Sequence, residues 1–109
     1  MNAPTRHRPL PLDHLRCFEA VARLLSFSAA AEEVHLTQPA VSRRIQSLEE
    51  ELGAPLFQRG TRKVELTQAG RELVRAVEPS LLRIDGSVRR IRLNRSRSMV
   101  SVTTFASFA

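Results

Sequence analysis

The chain has 109 residues, 17 of them basic and 11 acidic, a formal net charge of +6, and a single cysteine. That length suits one small domain with an appendage, and the lone Cys17 excludes an intramolecular disulfide and fits a reducing compartment. No apolar run approaches the roughly 18 residues of a membrane span, and the N-terminal MNAPTRHRPLP lacks the apolar stretch of a secretory signal, so residues 1–9 are expected to form a disordered tail.

Net charge alone does not identify a polyanion binder, because binding depends on cations that reach phosphates. Through Gly70, nine basic side chains face eight acidic ones, so most of the surplus lies beyond residue 70. Local clustering is more informative. Thr37 to Leu48 carries two arginines and no acid, and Arg59 to Lys63 carries three cations and no acid.

Leu12, Leu15, Phe18, Ala22 and Leu25 recur at three- and four-residue steps and predict an amphipathic first helix. Ser26-Phe27-Ser28 interrupts it. Ser28 is the expected N-cap of a short second helix, Ala29 to Val34, with Glu32 and Glu33 near its positive end. His35-Leu36 makes a tight connection.

The run TQPAVSRRIQSLEEELG, Thr37 to Gly53, predicts a third helix capped by Thr37, with Pro39 in its first turn and Gly53 as a left-handed stop. Val41, Ile45, Leu48 and Leu52 form its apolar stripe. At about 100° per residue, Pro39, Ser42, Arg43 and Gln46 project together away from that stripe, with Gln38 at their edge. Two short helices at a sharp angle, the second with a polar hydrogen-bonding flank, describe a helix-turn-helix motif, residues 26–45. Arg44 projects away from the flank and reads as a surface cation. Glu49, Glu50 and Glu51 would be repelled by phosphates and read as the solvated outer end.

Residues 55–59 and 63–66 flank Gly60-Thr61-Arg62 in a hairpin pattern with Val64 and Leu66 inward. This hairpin, residues 56–66, is the cationic wing of a winged helix-turn-helix. Thr67 then caps a long helix, residues 68–95. Val74, Val77, Leu81, Ile84, Val88 and Ile91 follow heptad spacing, the a/d seam of a coiled coil, and so predict a homodimer. Pro79 and Gly86 fall on the solvent side of that repeat, where proline is expected to bend the helix rather than break it. The fold class is therefore mainly α: three helices and a β-hairpin wing, followed by a long linker and dimerisation helix.

The order SxAAxxxHxTQPAVSRxIxxLExxLGxxLFxR, running from Ser28 to Arg59, resembles the DNA-binding domain of the LysR-type bacterial transcription regulators; the likeness spans Leu10 to Gly70 without an evident gap. It implies a DNA-binding domain over residues 10–67 and double-stranded DNA as ligand. SMVSVTTFASFA, within residues 96–109, is similar to the first strand of that family's sensor domain. The resemblance thus implies a fragment that has the reader and dimerisation helix but lacks the sensor. A small-molecule effector belongs to that missing domain, and the family allows a tetramer for the full-length protein and contact with RNA polymerase. No membrane partner, cofactor, metal site or enzymatic activity is expected: His7, His14 and His35 are scattered and no phosphate loop appears. The expected place is the cytoplasm, at the nucleoid.

The family docks the third helix in the major groove, which is about 12 Å wide. Gln38 suits adenine N6 and N7, Pro39 and Ala40 suit a thymine methyl, and Arg43 suits guanine O6 and N7. Thr37 and Ser42 are short hydroxyls matched to phosphate oxygens, and Gln46 lies one turn on. Ser28 faces a phosphate at the second helix, while Arg59, Arg62 and Lys63 grip the backbone or an adjacent narrow minor groove. Two other readings stay open at this stage. A winged-helix protein-interaction module need not keep Gln38, Arg43 and a cationic wing together. A protein that coats RNA or the nucleoid through its basic tail would show little sequence preference.

Overall fold

The structure is a computed structural model that describes residues 9–60 and 63–108, with side chains through residue 97. Of the expected tail, only Pro9 falls among the described residues. In chain order come α1 (Leu12–Leu24), α2 (Phe27–Glu33), α3 (Gln38–Leu52), β1 (Phe57–Arg59), β2 (Val64–Leu66) and α4 (Gln68–Phe108). Three helices, an antiparallel hairpin and a long C-terminal helix give the mainly helical winged architecture expected. Among the described residues, no helix is long and apolar enough to cross a membrane.

The chain divides into two compact units, one ending at Glu78 and the other beginning at Pro79. In the first, α1, α2 and α3 pack on one another around Phe18, Val21, Val41, Ile45, Leu48 and Leu56, all essentially inaccessible to water. Burying each such side chain contributes about 1.5–3 kcal/mol, enough together to define one core. The stripe expected on α1 is displaced. Phe18 is buried, but Leu12 and Leu25 are exposed, and Cys17, Ala20 and Val21 take the inward positions instead. Leu25 ends α1 in the left-handed conformation (φ 51°), with its N–H bonded to the Val21 carbonyl at 2.7 Å. That reversal turns its side chain out of the core.

The cap of α2 also differs from expectation. Ser26, not Ser28, is the N-cap, and its Oγ accepts from the Ala29 N–H at 3.0 Å. The reason is Phe27: starting the helix there places Phe27, Ala30 and Ala31 on one buried face. His35 (φ 59°) makes the left-handed corner before α3. Thr37 caps α3 by accepting from Ala40 N–H at 3.2 Å, and Gly53 (φ 71°) stops it with its N–H on the Glu49 carbonyl at 2.8 Å. Both ends of α3 are thus fixed by local chemistry.

The wing pairs Phe57 with Leu66, Gln58 with Glu65 and Arg59 with Val64. Its root is tied down from several sides. Glu49 Oε2 of α3 accepts from the Leu56 N–H at 2.8 Å, so this carboxylate has a structural bond, not the purely solvating role expected. The Thr67 hydroxyl donates to the Pro55 carbonyl at 2.7 Å and accepts from Gly70 N–H at 3.0 Å, capping α4, while the Thr67 N–H donates to the Leu56 carbonyl at 3.0 Å. Gly70 is buried where a Cβ would stand 2.2 Å from the Leu56 carbonyl oxygen and 2.8 Å from Leu66 Cδ2. Only glycine permits that approach.

The α4 helix runs through Pro79 without a break. It also continues beyond residue 95 to Phe108, where an opening strand was expected. A strand needs a neighbour for its N–H and C=O groups, and a helix satisfies them internally. Along the predicted seam, Val77 and Leu81 are buried without a second chain and Val74 is half-buried. Ile84, Val88 and Ile91 are exposed, Ile91 by 64%.

Candidate nucleic-acid interface

The two faces of α3 differ sharply. Val41, Ile45 and Leu48 are buried, while Gln38, Pro39, Arg43 and Gln46 are exposed and Ala40 and Ser42 half-exposed. Pro39, Ser42, Arg43 and Gln46 therefore share one outward flank, with Gln38 and Ala40 at the start of the helix to either side of it. It is held at a fixed rotation because turning the helix would expose its core stripe. The flank presents amide and guanidinium donors and amide and hydroxyl acceptors, and no carboxylate lies on α3 before Glu49. Thr37, exposed at the start of the helix, spends one acceptor position on its own cap.

Arg44 is not the free surface cation expected. It is half-buried on the far side of the stripe, where Nη1 lies 4.0 Å from the Cys17 Sγ. Burial pushes the Cys17 thiol above its ordinary value, against the lowering effect of the Arg44 charge. In the same unit, Arg23 of α1 bridges Glu19 (Nε to Oε2, 2.9 Å) and Glu33 of α2. The guanidinium beside Glu33 holds its carboxyl below the usual carboxylate range.

Ser28 is exposed inside the first turn of α2, with its Oγ 3.2 Å from that of Ser26. On the wing, Arg59 and Lys63 are exposed, whereas Arg62 lies outside the described residues. Arg59 has a partner that sequence reasoning missed. Its guanidinium carbon sits 4.3 Å above the centre of the Phe27 ring. Phe27 meets Phe57 edge-on at 5.9 Å, and Phe57 lies tilted against Phe18 at 5.5 Å. Phe27 and Arg59 are far apart in sequence, so no local spacing could reveal the pair. Ser26 was open to detection as the residue just before the Phe27, Ala30, Ala31 periodicity. Among the described residues, no group of three or more His, Cys, Asp or Glu side chains could hold a metal ion.

Comparison with known proteins places this arrangement in context. A family profile described as "Bacterial regulatory helix-turn-helix protein, lysR family" matches residues 12–71. The RuBisCO operon transcriptional regulator of Allochromatium vinosum is 53% identical over 73 residues, covering 64% of this chain and 24% of that protein. The glycine cleavage system transcriptional activator of Escherichia coli is 38% identical over 99 residues, covering 91% of this chain and 32% of that protein. This chain thus spans about a quarter to a third of the length of these relatives. Among solved structures, a BenM_DBD/catB site 1 DNA complex superposes with a TM-score of 0.70 at 40% identity, covering 75% of this chain and 91% of that one.

Proposed function

Because the chain belongs to the lysR family of bacterial regulatory helix-turn-helix proteins, we propose that it is the reading part of a transcription regulator, binding an interrupted palindrome in double-stranded DNA as a homodimer. The relatives it matches are named for regulating transcription, and regulation rather than catalysis is the activity assigned here. The observation that carries the reading is the outward flank of α3, polar and uncovered opposite a buried stripe. Placed in the major groove, Gln38 addresses adenine N6 and N7, Arg43 guanine O6 and N7, and Pro39 and Ala40 a thymine methyl. Gln46 reaches a base one turn further on. Thr37, Ser42 and Ser28 take phosphate oxygens and set the register, while Arg59, Arg62 and Lys63 of the wing hold the backbone or the adjacent minor groove.

The homodimer forms through α4. Ile84, Val88 and Ile91 are its open contact residues; Val74, Val77 and Leu81 continue the same heptads, the last two already covered by their own chain. A two-fold axis between two such heads demands an inverted repeat. The longer regulator adds a small-molecule sensor, assembles as a tetramer and engages RNA polymerase at the nucleoid in the cytoplasm. Selection of bound duplexes from a random-sequence pool tests the reading. It is expected to enrich two inverted half-sites at a constant separation. Enrichment of single half-sites at full affinity would refute the dimeric mode, and no enrichment would refute sequence reading.

A further inference from the structure

We propose that Phe27 is a positioning residue for DNA binding, acting through Arg59: its ring holds the guanidinium at the edge of the wing in the orientation that meets the DNA. This rests on the reading that Arg59 is a DNA contact. Phe57 and Arg59 stand two apart on β1 and so share one side of that strand. Phe57 is buried and Arg59 exposed, and Phe27 touches both. The result is a continuous stack from core to surface: Phe18, Phe57, Phe27, Arg59. A guanidinium over an aromatic face is attracted by the ring's negative quadrupole, yet its N–H donors lie around its rim and stay available to oxygen acceptors. Among the described residues, no carboxylate is paired with Arg59 to compete for those donors. Free arginine must surrender rotamer freedom when it binds phosphate, and the stack removes much of that loss beforehand.

The account distinguishes Phe27 from an ordinary core residue. An ordinary core residue affects DNA binding only through folding, and equally whether or not Arg59 is present. A positioning residue loses its effect once Arg59 is gone. Phe27→Leu, Phe27→Tyr, Arg59→Ala and the double variant Phe27→Leu/Arg59→Ala are to be compared on one duplex recovered from a random pool by the unaltered chain. Fold content is followed by circular dichroism. Arg59→Ala is expected to weaken binding about fivefold, the effect of losing about one phosphate contact at physiological salt. Phe27→Leu is expected to weaken it about threefold, in line with a cation–π contact. Phe27→Tyr, which keeps the ring face, is expected to restore most of that loss, and the double variant to bind no worse than Arg59→Ala. Equal threefold losses in both backgrounds, or no rescue by tyrosine, would overturn the proposal. An Arg59→Ala variant that binds like the unaltered chain would instead sink the reading of Arg59 as a contact. Should Phe27→Leu fail to fold, proton spectra of the unaltered chain decide: the Arg59 side-chain protons are expected upfield of their free positions, and unshifted resonances would contradict the stack.

Discussion

The two units of the chain use apolar side chains in opposite ways. In the unit ending at Glu78, the large apolar residues of the core are sealed by their own chain, and the exposed ones, Leu12, Leu24, Leu25 and Leu52, sit at helix ends. Exposed leucines of that kind are normal. In the unit beginning at Pro79, Ile84, Val88 and Ile91 are exposed on one face of the helix and Leu82 and Leu93 on the opposite one, and among the described residues Leu81 is the large apolar side chain that is buried. One unit is complete in a single copy and can devote its polar surface to reading. The other leaves the face of Ile84, Val88 and Ile91 uncovered, the face through which a second copy is proposed to pair.

Paired substitutions break this contrast most forcefully. Ile45→Ala, in the sealed unit, is expected to lower stability by about 3–4 kcal/mol, read from chemical denaturation. Ile91→Asp should leave the same denaturation midpoint almost unmoved while weakening self-association by about 2–3 kcal/mol in sedimentation equilibrium, because a partner would bury an unpaired charge. If Ile91→Asp unfolded the head, or left the association constant unchanged, the division of labour would be wrong.

Gly70→Ala sharpens the contrast from within the head. The added methyl meets backbone, not a flexible side-chain tip, so a loss of about 2–3 kcal/mol is expected in thermal unfolding. Next comes the wing root. Glu49→Ala leaves the Leu56 N–H without its acceptor and is expected to cost about 1–2 kcal/mol, whereas Glu49→Gln keeps an acceptor oxygen and should recover most of it. Equal losses for the two would mean that charge, not the hydrogen bond, matters there.

The smallest effect concerns pH. The Glu33 carboxyl is depressed in the folded state by Arg23, so its contribution is present above the unfolded carboxyl's pKa and is lost as pH falls through the folded value. Glu33→Gln is therefore expected to flatten the stability–pH curve only below about pH 5, and slightly, since the pair is exposed. A change at neutral-to-alkaline pH would point to another group.

What the sequence disclosed, and what it concealed, divides along the same physical line. Thr37, Pro39 and Gly53 announced both ends of α3, because caps and stops are chemistry between near neighbours. The phase of α3 followed from Val41, Ile45 and Leu48, so the composition of the outward flank was legible. Residues that act across the fold were not. Two serines flank Phe27, and only the burial of that ring decides that Ser26 is the cap. Glu49 finds its amide because the chain after Gly53 turns back, and Arg59 meets Phe27 only once the wing folds over α2. Heptad spacing marked Val77 and Leu81 as apolar positions, but spacing cannot say which surface covers them. The helix over the final residues replaced a strand expected by likeness to longer proteins, in which other strands would be present to pair with it.

The central claim is that the uncovered flank of α3 touches base edges. Arg43→Ala tests it most directly, through affinities for a selected duplex and for a scrambled duplex of equal length at one salt concentration. The account predicts a loss of about 1–3 kcal/mol on the selected duplex and a clearly smaller one on the scrambled duplex. Equal losses on both would make Arg43 a phosphate contact and contradict its reading of bases.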